Sequence, residues 1–147
     1  MAETASRVTR PSGLRLYIAS GERALVDERV DEVEIPGSEG YFGVLPGHTP
    51  LLALLGAGEL WYRQGGEKHY LVIAFGFAEV RPEQVTILAE IAERADEIDT
   101  TRAEAAKKRA EARMARPTID VDFERARTAM LKAFIRLQVA SRARIRS

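Results

Sequence analysis

Through the first ninety-odd residues the apolar positions recur mostly at steps of two. Leu14, Leu16 and Ile18 alternate with Arg15 and Tyr17, the period of a half-buried strand. Ser20-Gly21 then turns the chain. Val30, Val33 and Ile35 sit among Asp31, Glu32 and Glu34 and stop at Pro36-Gly37. Leu51 to Leu55 and Glu59 to Arg63 flank Gly56-Ala57-Gly58, and Gln64-Gly65-Gly66 predicts a hairpin turn into His69 to Phe75. Phe77 to Val80 and Val85 to Ala89 flank Arg81-Pro82-Glu83-Gln84. Short strands with frequent turn signals predict an antiparallel β-sandwich or flattened barrel of about ten strands over residues 14–95, behind a tail at 1–13. Nothing has a βαβ rhythm, which argues against a parallel nucleotide-binding sheet.

The period then changes. Thr101 and Glu104 fit a capping box ahead of an Ala/Lys/Arg-rich run, with Asp99 a rival cap, and Pro117 ends that run. Ala103, Ala106, Ala110 and Met114 are its predicted inner face. Asp120 or Asp122 caps a second helix, on which Phe123, Ala126, Met130, Ala133, Leu137 and Ala140 recur at steps of three and four. The short connection predicts an antiparallel two-helix hairpin over 96–147 and an α+β fold in two parts. Its alanine stripes have little to bury, so the hairpin is expected to dock weakly and to be re-docked by a partner.

Charge divides at the same boundary. The 147 residues carry 22 Lys+Arg and 22 Asp+Glu, yet the balance is −7 through Glu97 and +7 from Ile98 onward. All 11 glycines lie at or before Gly76. The absence of cysteine excludes a disulfide scaffold and a thiolate zinc site. The longest apolar run, Leu51 to Leu55, is far short of a bilayer span, and residues 1–13 have no apolar core of a signal peptide. A protein of a reducing compartment is expected.

The stretch Gly40-Tyr41-Phe42-Gly43-Val44-Leu45-Pro46-Gly47-His48-Thr49-Pro50-Leu51-Leu52, followed by Gly58-Glu59-Leu60, resembles the signature of the epsilon-subunit family of bacterial and chloroplast F-type ATP synthases. The order of parts, a strand-rich region and then two helices after an Ile-Asp, is similar too. The resemblance implies a non-catalytic rotor subunit of a proton-translocating synthase, on the cytoplasmic face of the bacterial plasma membrane and held there only through the complex. Its sandwich would bind the gamma subunit and the c-ring, with Tyr41, Phe42, Leu45 and His48 at that interface. Its hairpin would lie folded on the sandwich or extend toward the catalytic beta and alpha subunits and inhibit ATP hydrolysis, using cations such as Arg142, Arg144 and Arg146. No cofactor is required.

Ile98-Asp99-Thr100-Thr101-Arg102-Ala103 matches the family's Ile/Leu-Asp-x-x-Arg-Ala motif, which binds ATP as a regulatory ligand in some members. Carried over by position, the resemblance adds Glu93, Arg109, Lys132 and Arg136 to Ile98, Asp99, Arg102 and Ala103. Lys132 stands where another arginine is found in the best binders, keeping the charge without the bidentate fork. Arg102 and Arg109, seven apart, share one helical face. The ordinary alternative is that Asp99 caps the helix and the arginines form a solvated face.

Catalysis by the chain itself has little support. His48 is accompanied by no Gly-x-Ser-x-Gly or His-Glu-x-x-His motif. A nucleic-acid-binding module using the +7 hairpin is the alternative reading. Against it, the sandwich is acidic, and Phe123 and Phe134 are expected to face the apolar stripe rather than to form a stacking platform.

Overall fold

A computed structural model describes residues 13–115 and 120–146. The tail over 1–12, the stop at Pro117 and the side chains of Asp120, Asp122, Arg144 and Arg146 lie outside the described residues. Eight strands come first: β1 (Leu14–Ser20), β2 (Ala24–Val30), β3 (Glu32–Gly37), β4 (Gly40–Val44), β5 (Leu51–Leu54), β6 (Ala57–Gln64), β7 (Glu67–Val80) and β8 (Gln84–Arg94). A single 3-10 turn at Ala95–Glu97 leads to the helices α1 (Thr100–Met114) and α2 (Asp120–Arg146).

The strands run in the order β2-β1-β8-β7-β6-β3-β4, with β5 also on β7. The expected α+β class is present, but the strand inventory differs. His69 to Phe75 and Phe77 to Val80 are one strand of 14 residues. Its pairing to β8 skips Phe75, which has φ +61°, and resumes in the same register at Gly76. Gly76 has φ +109°, and a Cβ there would lie 2.1 Å from the Leu88 carbonyl oxygen, so only glycine fits. Val30 and Ile35, read as one strand, belong to β2 and β3, which part at Asp31. β2 escaped the period-two reading because its buried Leu25 and Val26 are adjacent and its Asp27-Glu28-Arg29 run is exposed. Gly40–Val44, read as a connection, is β4 and pairs with β3. Of the described pairings, β1 on β8 is parallel, an exception to the expected antiparallel sheet.

The long β7 and β8 serve both layers of the sandwich, and one core lies between those layers. Leu14, Leu16, Ile18, Ile35, Leu60, Leu71, Ile73 and Ile87 are its largest fully buried side chains. At ~1.5–3 kcal/mol for each fully buried aliphatic side chain, this core dominates the fold's stability.

The helices are docked. Ala103 and Ala110 of α1 and Ala126, Ala133 and Ala140 of α2 are buried, while Ala106, Met114, Met130 and Leu137 are half-buried. These alanines are worth ~0.8 kcal/mol each, so the seam is close but shallow. A second face of α2 was not foreseen. Ile135 and Val139 are buried against Val72 of β7, beside Ala57, Tyr70, Ala95 and Ile98. They supply the aliphatic burial that the alanine stripe lacks. The expected capping box at Thr101 and Glu104 is replaced by Asp99, whose carboxylate accepts the Arg102 backbone N–H at 3.0 Å. An Asp one residue before the first helical turn has the cap geometry already, so the threonine is not needed.

Candidate functional site

The glycine-proline loop connects β4 to β5. Gly47 N–H donates to the Pro82 carbonyl at 2.7 Å, which ties the loop to the β7–β8 turn. His48 is half-buried, and its Nδ1 lies 2.6 Å from the Thr49 carbonyl oxygen. A carbonyl only accepts, so Nδ1 carries the hydrogen there. His48 is thus a local brace within the loop.

The other three candidates divide. Leu45 is exposed. Tyr41 is 57% exposed, yet its hydroxyl accepts the Glu59 N–H at 3.2 Å and so anchors β4 to β6. Phe42 is half-buried: in β4 it lies opposite Ile35 of β3 and packs against the core, with part of its side chain left on the surface.

The larger apolar surface was missed by sequence reasoning. Register places Leu54 of β5 opposite Phe77 of β7, Phe77 opposite Leu88 of β8, and Leu88 opposite Ala19 of β1. This makes an apolar row four strands wide. Leu54 is 69% exposed, and Phe77 and Leu88 are also exposed. Leu52, two residues along the same strand face, is 71% exposed. Leu51 to Leu54 also line a groove of about 530 Å³ with Tyr41 and Phe42. The signal was present: a strand apolar at every position leaves apolar side chains exposed wherever nothing covers it, and Leu51, Leu52 and Leu54 are all exposed. Contiguous exposed apolar surface of this kind marks an interaction site.

The residues of the Ile-Asp-x-x-Arg-Ala motif are only partly brought together. Ile98 packs at the α2–sandwich contact and Ala103 is buried in the helix seam. Asp99 bonds the backbone of Arg102, and no contact between their side chains is among the described bonds. Arg102 and Arg109 are exposed on α1 and share a face with Ala106. Ala106 lines a groove of about 470 Å³ with Arg125, Lys132 and Arg136 of α2. That volume lies within the ~300–1,000 Å³ range of small-molecule sites. Lys132 and Arg136 therefore share one groove, and Arg102 and Arg109 are not among the residues that line it. Glu93 accepts the Arg136 Nε–H at 3.0 Å. Lys132 Nζ sits 5.6 Å from the centre of the Phe75 ring.

Of the cations expected to serve inhibition, Arg142 is engaged. Its Nε is 3.4 Å from Glu59 Oε2, and its guanidinium lies 5.3 Å from the Tyr70 ring centre. Phe123 and Phe134 are exposed, against the expectation that they face the apolar stripe. Alanines fill the seam, and bulkier rings are kept out of it. Near the end of α2, burial pushes the Tyr62 phenol above its ordinary range. His69 stacks on that ring at 4.9 Å. No helix among the described residues is long and apolar enough to cross a membrane, and no cluster of metal-ligating side chains occurs among them.

An uncovered apolar row on a rigid sandwich, joined to a cationic hairpin on a shallow seam, defines a docking subunit of a larger assembly. Residues 13–95 match the beta-sandwich domain of the ATP synthase delta/epsilon chain, and residues 96–141 match its long alpha-helix domain. The chain belongs to the ATP synthase delta/epsilon family, as an accessory central-stalk subunit rather than the catalytic one. It is 46% identical over 132 residues to the ATP synthase epsilon chain of Solibacter usitatus (strain Ellin6076), covering 90% of this chain and 98% of that one. It is 48% identical over 127 residues to the epsilon chain of Herpetosiphon aurantiacus, covering 86% and 93%. Among solved structures it resembles a chain of the Euglena gracilis mitochondrial ATP synthase OSCP/F1/c-ring assembly. The TM-score is 0.67 at 26% identity, over 95% of this chain and 85% of that one.

Proposed function

We propose that this subunit ties gamma to the c-ring as part of the rotor, at the cytoplasmic face of a bacterial plasma membrane, and that its hairpin restrains ATP hydrolysis. The apolar row Leu54–Phe77–Leu88 carries this reading. A rotor subunit needs a broad, stiff, apolar contact to transmit torque, and the row lies on cross-paired strands rather than on loops. Tyr41, Leu45 and Leu52, at the loop edge, offer a second contact for the c-ring. The hairpin supplies the regulatory part, with an inhibitory form in which α2 leaves the sandwich for the catalytic beta and alpha subunits. ATP, held between α1 and α2 by Lys132 and by the guanidinium nitrogens of Arg136 that the Nε–Glu93 bond does not use, with Arg102 and Arg109 on the neighbouring face of α1, would favour the docked form.

The test is assembly. Phe77→Asp with Leu54→Asp, both exposed positions, should leave the isolated chain folded by circular dichroism. The variant should lose co-purification with gamma and with the c-ring from a reconstituted complex. Wild-type assembly of the double variant would remove this interface.

A further inference from the structure

The α2 helix meets the sandwich through two matched rows. On the sheet, Val72 of β7 is the register partner of both Glu59 on β6 and Glu93 on β8. The row across three strands therefore reads Glu59–Val72–Glu93, all on one face. On the helix, Arg142, Val139 and Arg136 follow at equal steps of three. Arg142 meets Glu59, Val139 packs on Val72, and Arg136 meets Glu93. The spacings agree from first principles. Six residues of helix rise ~9 Å, and two strand spacings are ~9.6 Å. The helix crosses the strands with its charges in step with theirs.

From this geometry we propose that Glu59 and Glu93 form a two-point ionic latch that holds α2 on the sandwich and sequesters Arg136 and Arg142 until it opens. The pairs sit where ionic contacts count. The Glu59 side chain is only 13% exposed and that of Glu93 33%, so withdrawing an arginine leaves a partly desolvated carboxylate. Two charged points six residues apart also fix the sliding register of α2, which a contact of Ile135 and Val139 with Val72 does not fix by itself. The tethering face continues with cation–ring contacts, Lys132 on Phe75 and Arg142 on Tyr70. The latch has a functional corollary that rests on the inhibitory reading above. The sandwich acids occupy α2 cations that an acidic surface of a catalytic subunit would otherwise attract, so the docked form is silent because its charges are already matched.

The full-length chain tests this without any partner. It has no native cysteine, so Glu67→Cys on β7 and Ser141→Cys on α2 take spin labels at exposed positions. Pulsed dipolar spectroscopy on this background should give one short distance. Adding Glu59→Gln and Glu93→Gln should raise the long-distance, undocked population about tenfold, the effect expected of losing charge-assisted bonds. The exchange Glu93→Arg with Arg136→Glu should bring most of it back. An unchanged distance distribution in the double Gln variant, or a charge exchange that leaves docking as poor as the single Arg136→Glu change, would overturn the latch. Hydrolysis by the complex reassembled with the double Gln variant is the separate readout. If α2 undocks while hydrolysis stays at the wild-type rate, the latch stands and the inhibitory role of the hairpin falls.

Discussion

A Cβ added to Gly58 would lie 2.3 Å from the hydroxyl oxygen of Tyr41, so the glycine of the Gly-Glu-Leu triplet is a seat for that tyrosine. The same hydroxyl accepts the N–H of Glu59, the next residue. The loop signature and the later triplet, far apart in sequence, are thus one joint between β4 and β6.

Gly58→Ala should therefore cost about 1–3 kcal/mol of unfolding free energy, because Tyr41 and Pro36 must both give way. Tyr41→Phe in the same background should recover part of that loss, since it removes the closest atom. Urea unfolding of the three variants measures it. A Gly58→Ala chain as stable as wild type would show that Tyr41 swings out freely and does not hold the loop.

Gly76 of β7 makes a sharper prediction. Gly76→Ala combines a disallowed φ with a clash against the Leu88 backbone. It should cost about 3 kcal/mol or more, exceeding the cost at Gly58, because neither neighbour is a movable side-chain end. Thermal unfolding followed by circular dichroism ranks the two. The opposite order would place the strain elsewhere.

ATP binding is tested by calorimetry on the isolated full-length chain, with and without magnesium. Arg102→Ala should weaken binding, and Lys132→Arg should equal or tighten it by restoring a planar fork. Asp99→Ala should lower helix stability by about 1 kcal/mol through the lost cap, whatever it does to ATP. ATP at 100 times its dissociation constant would add ~2.7 kcal/mol to the docked form, comparable with the shallow alanine seam. Absence of binding heat at millimolar ATP would leave the groove beside Ala106 as surface relief and Asp99 as a cap alone.

The cations proposed to act in inhibition separate by position. Arg144→Ala with Arg146→Ala, beyond the latch, should raise hydrolysis by an inhibited complex about two- to fivefold, and added salt should shrink the difference. Arg142→Ala should act on both sides, loosening the contact with Glu59 and weakening inhibition. Deleting residues 98–147 should abolish inhibition while leaving assembly intact. A truncated chain that fails to assemble would show that the sandwich does not dock alone.

Features set by local chemistry were legible along the chain. Alternation in Leu14 to Ile18 specified a strand, and Gly65-Gly66 specified a two-residue hairpin joining Gln64 to Glu67. Asp99 was legible as a cap because capping depends on a few neighbouring backbone groups. The spaced glycines, prolines and histidine of 40–52 were enough to place the family. Features set by register between distant strands were not legible there. Leu54, Phe77 and Leu88 become one apolar row, and Glu59, Val72 and Glu93 one docking row, only when β5, β7, β8 and β6 are aligned to the residue. A slip of one position would turn each of these side chains to the opposite face. The period of the sequence tells which residues share a face of their own strand, and the pairing of strands far apart in the chain tells which faces meet. For the same reason Arg136 and Arg142 looked like free surface cations in the sequence, and their partners were found on strands 43 and 83 residues away.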